Sequence, residues 1–306
     1  MSPQETREAE SRWALPTALA TFLAVVLIIV SAFLNSVSGT GDAEVLRSVD
    51  AHSGSVTTVA LMQGLAFLLL AVPLVYLFRA IRARSERVRP QLIGLVVVAP
   101  LFLAISTGLS GVARQEAADQ FVAGEAKSTL SQKKAKEECA SDRKDEGAKD
   151  FADEYEPRQG ESVQAACERR KGEDDEASNA LSEASLAPLV TGLGVAGGLG
   201  LAVVLFYCCL WAMRTGLLTR FWGSLGMALG IAILVGLLPL ALIWFVYFGL
   251  LVLGKLPGGR PPAWEAGEAV PWPTPGEKAA AELEPSEAVE ADPEDAEEKR
   301  KRKQRE

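Results

Sequence analysis

Five long apolar blocks without any Asp, Glu or Lys dominate the chain. A hydrocarbon core about 30 Å thick is crossed by roughly 20 residues of helix, because each residue rises about 1.5 Å. Arg220 lies near one end of the last block, where its side chain can reach the headgroups. The pattern therefore predicts membrane-spanning α-helices. The blocks are 15–34, 56–78, 91–109, 186–213 and 217–253.

The last block is too long for one span. About 37 residues of straight helix would measure roughly 55 Å, nearly twice the apolar thickness. Gly236 and Pro239 lie near its middle, and Gly with Pro is typical of a tight reversal. We therefore predict two short spans, 218–236 and 238–254, that form a hairpin turning at 236–239.

The charges between the blocks give the orientation, because cytoplasmic connections carry excess Arg and Lys. The connection 79–90 holds five Arg against one acid, whereas the first connection is acidic. Basic residues also flank the short connection before the fifth span and follow the sixth span, so only an even number of spans satisfies the rule. The basic residues are Arg79, Arg82, Arg84, Arg87, Arg89, Arg214, Arg220, Lys255 and Arg260.

The predicted fold class is an all-α, polytopic transmembrane helix bundle of six spans with both termini in the cytoplasm. The sixth span is followed by a cytoplasmic tail that we expect to be disordered. The segments are an N-terminus (1–13), spans at 14–35, 56–78, 91–110, 186–213, 218–236 and 238–254, external segments at 36–55 and 111–185, a basic loop (79–90) and the tail (255–306).

A cleaved signal peptide is the alternative for the first block. Arg7 and Arg12 precede the apolar run, and Ser36 with Ser38 gives a small-x-small cleavage pattern. However, the run is near 20 residues, whereas a signal core has roughly 7–15. We favour a retained span.

The external region 111–185 is rich in Ala, Glu, Lys and Asp, which favours helix but not a substantial core. We expect one helix that continues from the third span to Cys139, an irregular middle at 147–160, and a second helix that leads into the fourth span. A break is possible at 171–173.

Cys139 and Cys167 lie on the two predicted external arms, where oxidation is allowed. We predict a disulfide between them. Closing a loop of about 29 residues stabilises the fold by roughly 3.5 kcal/mol on the loop-entropy model. The alternative is two free thiols in a partly disordered region.

The tail begins as a Pro-rich linker with Trp264 and Trp272, and its acidic part ends in the basic cluster 299–305. We expect the tryptophans to lie at headgroup level; binding in a partner groove is the alternative. The basic cluster could bind anionic lipid or nucleic acid. We favour a solvated end whose bases neutralise the preceding acids, so nucleic acid is not an expected partner.

Glycine patterns in the spans predict helix packing. Gly192, Gly194 and Gly197 spell G-x-G-x-x-G, a dinucleotide-binding pattern that requires a preceding strand and a parallel sheet, neither of which is predicted. Small residues four apart instead let membrane helices approach closely. The predicted packing residues are Gly194, Gly198, Gly226 and Gly230.

No residue set for chemistry emerges from the spans. His52 is the only histidine, and the apolar blocks hold no nucleophile–base set, paired aspartates or mid-membrane charge. We therefore predict no catalytic residue, no metal or cofactor site, and no enzymatic activity. Pro73 and Pro100 could interrupt helices at a carrier site, but simple kinks are the preferred interpretation.

Three short stretches carry a resemblance: 46–50 (Leu-Arg-Ser-Val-Asp), 211–221 (Trp-Ala-Met-Arg, then Leu-Leu-Thr-Arg-Phe) and 257–264 (Pro-Gly-Gly-Arg-Pro-Pro-Ala-Trp). In these the chain resembles uncharacterised multi-pass membrane proteins of high-GC actinobacteria. The resemblance implies a bacterial plasma-membrane location and no known activity.

The expected role is that of a non-enzymatic subunit or scaffold in the lipid bilayer. A protein partner could bind the external region 111–185 or the Pro/Trp-rich tail. A small-solute transporter or channel is the alternative, and a membrane enzyme is the third interpretation.

Overall fold

The computed structural model describes residues 2–35, 37–146, 148–155, 157–234 and 237–273. Over these ranges the regular structure is helical, with a single 3-10 turn at Pro90–Leu92. In chain order the α-helices are α1 (Pro3–Leu34), α2 (Asp42–Ala51), α3 (Ser53–Arg84), α4 (Ile93–Val122), α5 (Gln132–Glu146), α6 (Ala148–Glu154), α7 (Val163–Glu183), α8 (Ala187–Arg214), α9 (Arg220–Leu234), α10 (Leu238–Leu253) and α11 (Pro262–Ala266).

Four helices, α1, α3, α4 and α8, are long and apolar enough to cross a membrane. They pack side by side with the shorter apolar helices α9 and α10. The prediction of an all-α bundle of membrane helices is therefore confirmed.

Helix α8 lies between α4 and α9, and glycines allow it to approach both helices closely. A Cβ on Gly197 would lie 2.8 Å from the backbone nitrogen of Leu103, and one on Gly200 would lie 2.8 Å from the Cβ of Ala99. Such distances are closer than van der Waals contact allows. The approach of α4 to α8 therefore depends on these two glycines.

The four glycines predicted to pack occupy different environments. A Cβ on Gly230 would lie 3.1 Å from the carbonyl oxygen of Ala202 on α8, and one on Gly226 would overlap Cys209 and Trp244. A Cβ on Gly194 would lie 3.0 Å from the hydroxyl oxygen of Ser106 on α4. Gly198 has only an ordinary contact, 3.9 Å from Leu234, so the close approach to α4 uses Gly197 and Gly200 instead.

Helices α9 and α10 form an antiparallel pair. Helix α9 runs back along α8, from Gly223 against Met213 to Leu234 beside Gly198. Gly198 is 17 residues before Thr215, the residue that follows α8. The pair of α9 and α10 therefore extends about 25 Å along α8 from the level of Thr215. Of the turn predicted at 236–239, Gly236 lies outside the described residues, whereas α10 begins at Leu238 with proline in its first turn.

The two ends of the bundle differ in character. One end gathers the start of α1, the end of α3, the connection 215–219 and the segment 255–273. The opposite end carries α2, α5, α6 and α7. We call the first the arginine end and the second the helical cap.

The helical cap departs from the sequence prediction in three places. Helix α4 ends at Val122 rather than near Cys139, because Gly124 takes a positive φ of 71° that stops the helix. Helix α6 occupies part of the middle expected to be irregular. Helix α7 runs unbroken through 171–173 and ends at Glu183, just before α8.

The prediction of a disordered tail over 255–306 is wrong for its first part. Residues 255–273 pack on the arginine end, and Trp264 is buried there. The physical reason is a set of backbone acceptors at this end that the segment satisfies, as detailed below. The rest of the tail, 274–306, lies outside the described residues.

Candidate functional sites at the two polar ends

Three consecutive acids on α7 each hold a different part of the helical cap. Glu173 pairs with Arg47 of α2 at 2.6 Å and with Arg169, one turn before it on α7, at 3.2 Å. The Asp174 carboxylate accepts the backbone N–H of Ala43 at 3.0 Å, in the first turn of α2. A carboxylate at a helix N-terminus satisfies an unpaired N–H and complements the helix dipole.

Asp175 fixes the loop between α4 and α5. Its Oδ2 accepts the backbone N–H groups of Thr129 at 2.6 Å and Leu130 at 2.9 Å, and the Ser128 hydroxyl at 2.9 Å. One side chain thus replaces the helical hydrogen bonds that this stretch lacks. Together, the acids at 173–175 tie α2 and the loop to α7.

Behind the acids lies a small apolar core built mainly from alanine. Its members come from α2, α3, α4 and the α7 region, so the core joins the helical cap to two membrane helices. Alanine lets helices approach closely at little cost in side-chain entropy. The buried residues are Ala43, Leu46, Val49, Val56, Ala117, Ala118, Ala177, Ala180 and Ala184.

A second cluster surrounds the predicted disulfide. The sulfurs of Cys139 on α5 and Cys167 on α7 lie 2.00 Å apart, at disulfide distance, with both residues buried. Phe151 and Tyr155 pack against the two cysteines, and the centroids of these two rings lie 4.9 Å from each other. The pair therefore joins the outermost helix of the cap to α7.

The environment of the acids shifts their ionisation. Burial raises the pKa of Glu173, but hydrogen bonds from Arg47 and Arg169 outweigh it, and the pKa falls below its ordinary value. Burial likewise opposes ionisation of Asp175, yet the donors at 128–130 leave its pKa lowered. Both carboxylates are thus favoured in the charged form that holds the cap together.

At the arginine end, a buried guanidinium joins three segments. The Arg84 side chain has no exposed area, and it pairs through both terminal nitrogens with the Glu10 carboxylate of α1, with one contact of 3.0 Å. Its Nε and Nη2 donate to the carbonyl oxygen of Ala263 at 3.1 and 2.8 Å. Arg84 therefore connects α3, α1 and α11.

Trp264 completes this cluster. Its ring stacks on Tyr76 with centroids 5.9 Å apart, and the Arg84 guanidinium carbon lies 5.5 Å from the ring centroid. The indole N–H donates to the carbonyl oxygen of Leu217 at 2.9 Å. The ring thereby satisfies a carbonyl in the non-helical connection that follows α8.

The remainder of segment 255–273 is attached in the same way. The Trp272 indole donates to the carbonyl oxygen of Leu218 at 2.8 Å, and the backbone N–H of Val270 donates to that of Thr215 at 3.1 Å. Arg220 returns a hydrogen bond to the carbonyl oxygen of Pro273 at 2.8 Å. Sequence reasoning found the two tryptophans but not these acceptors, which become adjacent only in the folded bundle.

Large side chains fill the centre of the bundle. Several of them, from α3, α8 and α10, are almost completely excluded from solvent. A solute path along the bundle axis would have to displace them. They are Leu70, Leu74, Leu77, Phe78, Leu201, Leu205, Trp244, Phe245 and Phe248.

The chemistry available at the two ends is limited. Within the ranges that the structure describes, no group of three or more His, Cys, Asp or Glu side chains is placed to hold a metal ion. His52 is exposed between α2 and α3, with Nδ1 3.0 Å from the carbonyl oxygen of Ser48. The G-x-G-x-x-G glycines lie inside α8, where Gly197 is covered by α4.

The ion pairs of the cap predict a loss of stability in acid. A carboxyl whose folded pKa is lowered contributes stability that is complete above its ordinary value, here 4.5 for Glu173 and 3.8 for Asp175. The contribution is lost as pH falls through the lower folded value. Hydrogen exchange in α2 and in loop 128–130, corrected for intrinsic rates, should therefore accelerate between neutral pH and a pH below 3.8. Exchange in α8, which lacks such pairs, is the control; equal acceleration there would contradict the assignment.

The buried pair at the arginine end predicts a large effect of removing one charge. Glu10→Gln leaves the Arg84 guanidinium buried without its counter-ion, which should lower the free energy of unfolding by about 3–5 kcal/mol. Equilibrium unfolding of the purified protein in detergent measures this. Glu8→Gln changes an exposed carboxylate on the same helix and should stay within about 0.5 kcal/mol of the unmodified protein. Equal stabilities of the two variants would refute the role of the pair.

Comparison with known proteins adds nothing to the geometry. No family model, no curated protein and no solved structure matches this chain. The function must therefore be argued from how the helices and their two polar ends are built.

Proposed function

We propose that this chain is a six-span protein of a bacterial plasma membrane that acts as a non-enzymatic scaffold or subunit and holds the helical cap outside the cell. The observation that best supports this proposal is the attachment of the helical cap to the membrane helices. Helix α7 is joined by its acids to α2 and by the alanine core to α4, and α2, α4 and α7 adjoin the membrane helices α3 and α8. A domain fixed in this way keeps one orientation relative to the bilayer.

Orientation follows from the charges at the two ends. The arginine end collects the basic connection 79–90, the connection around Arg214 and Arg220, and the segment with Lys255 and Arg260, which the positive-inside rule assigns to the cytoplasm. The helical cap then lies outside, where a Cys139–Cys167 disulfide can form. Both termini are cytoplasmic in this arrangement.

The hairpin of α9 and α10 supplies the fifth and sixth spans. Its rise of about 25 Å is somewhat less than the hydrocarbon thickness of about 30 Å. Backbone groups that a turn leaves unpaired require water, so with this rise either the bilayer thins at the end of the hairpin or neighbouring helices cover that end. In either case, α10 returns the chain to the arginine end.

The filled centre of the bundle favours a scaffold over the alternative, a small-solute carrier. A carrier must alternately open a path between its spans. Here the glycine contacts of α8 with α4 and α9, together with the large side chains at the centre, oppose separation of the helices. A scaffold requires only that the helices stay together.

The partner surface that we propose is the outer face of α5. Helix α5 is held through Ala135 and Cys139, whereas most of its charged side chains are exposed, including Lys136 and Arg143. A protein partner that recognises this face would be aligned with the membrane by the disulfide and α7. Lipid surrounds the spans.

Affinity purification of the intact protein from its own membrane tests the proposal. We expect one stoichiometric protein partner that is lost from Lys136→Glu/Arg143→Glu and retained by Arg87→Glu/Arg89→Glu, which makes the same charge change at the arginine end. The scaffold hypothesis would be rejected in favour of a carrier if no partner is found and glycerol enters proteoliposomes faster than protein-free vesicles.

A further inference from the structure

A groove runs between α1 and α3 at the arginine end of the bundle. Its volume is about 890 Å³, within the range of roughly 300–1,000 Å³ typical of ligand sites. Its walls come from the first half of α1 and the second half of α3, with Glu86 at the end. Glu10, the ion-pair partner of Arg84, is one of the lining residues.

Small side chains make the groove. Ala9 of α1 and Ala71, Ala80 and Ala83 of α3 line it, where larger residues would fill the space between the helices. Trp13 stands at the rim and is 54% exposed. The two helices are therefore held together beside the groove while leaving it open along one side.

The chemistry of the walls changes along α3. Ala71, Val72 and Val75 lie in the apolar span, and Arg79 and Arg82 follow them. Ala71 and Arg79 are eight residues apart, so the apolar part extends about 12 Å below the arginine level. A ligand that fills the groove must accordingly be apolar below and anionic at the top.

One arginine at the rim of the groove has no partner among the residues that the structure describes. Within the described part of the chain, Arg79 makes no ion pair or hydrogen bond, and Arg82 donates only to the carbonyl oxygen of Val88, at 2.7 Å. Glu10 is neutralised by Arg84, which leaves Glu86 as the opposing charge at the rim. The balance at the top of the groove is therefore positive.

We propose that this groove binds an anionic phospholipid of the cytoplasmic leaflet, with its phosphate at Arg79 and Arg82 and an acyl chain along Ala71, Val72 and Val75. Charge complementarity and depth carry the assignment. The lower groove lies below headgroup level, where the surrounding medium is lipid, and a soluble phosphate ester would leave that part empty. Trp13 at the rim suits the interface between headgroup and hydrocarbon.

Native mass spectrometry of the intact protein, released from detergent after incubation with defined lipids, tests the assignment. We expect retention of phosphatidylglycerol over phosphatidylcholine. Arg79→Gln should weaken phosphatidylglycerol binding about fivefold, as about 1 kcal/mol per basic side chain implies. Arg87→Gln, the same change on an exposed arginine outside the groove, should leave binding unaltered.

Two further variants separate binding from folding. Ala71→Leu adds volume in the apolar part without changing charge and should also reduce lipid retention. Arg79→Lys preserves the charge and should restore it. Equal retention of both lipids, an equal loss with Arg87→Gln, or full displacement by inorganic phosphate would overturn the proposal, the last in favour of a soluble phosphate ligand.

Discussion

The absence of water from the hydrocarbon core is the constraint on which the whole structure depends. Backbone groups there must be satisfied within helices, and an isolated charge costs several kcal/mol. The spans accordingly hold together by close packing, at Gly197 and Gly200 against α4 and at Gly230 against α8. Hydrogen bonds and ion pairs that fix one segment to another are gathered at the two ends of the bundle.

The two ends solve the same problem by different means. The arginine end buries one charged pair, Arg84 with Glu10, under an aromatic ring and satisfies loop carbonyls with indole N–H groups. The helical cap has little apolar surface to bury and uses partly exposed ion pairs as well, such as those of Glu173 with Arg47 and Arg169. Each exposed pair contributes about 0–1 kcal/mol, whereas a disulfide closing a loop of this length contributes roughly 3.5 kcal/mol. In the cap, the Cys139–Cys167 link is thus expected to contribute more than any one of these ion pairs.

The parts that could be predicted from sequence are those in which one local property decides the outcome. Continuous apolar length predicts the membrane helices, and Pro239 marks the start of the returning helix α10. The cysteine pair follows from the positions of its members on two arms of one loop. The first two depend on residues close together in the sequence, and the third depends on the pairing of two cysteines.

The parts that could not be predicted depend on groups that meet only after folding. A helix break was expected at 171–173, whereas α7 is continuous there and the acids at 173–175 bind partners at 43, 47 and 128–130 that are distant in sequence. The tail was expected to be disordered throughout, because the carbonyls that Trp264 and Trp272 satisfy belong to the connection after α8, which is distant in sequence. Gly194 and Gly198 share a sequence spacing, but the helix face turned to α4 bears Gly194, Gly197 and Gly200, and Gly198 lies off it.

The central claim is that the arginine end is cytoplasmic and the helical cap external, with the chain returning to the cytoplasm through α10. Labelling of intact cells with a membrane-impermeant thiol reagent tests it most directly. Single cysteines are placed at Ser85, Ser141 and Glu268 in a protein that keeps the Cys139–Cys167 pair and carries alanine at 208 and 209. The account predicts labelling of Ser141→Cys in intact cells, and of Ser85→Cys and Glu268→Cys only after the membrane is opened. Labelling of Ser85→Cys or Glu268→Cys in intact cells would contradict it.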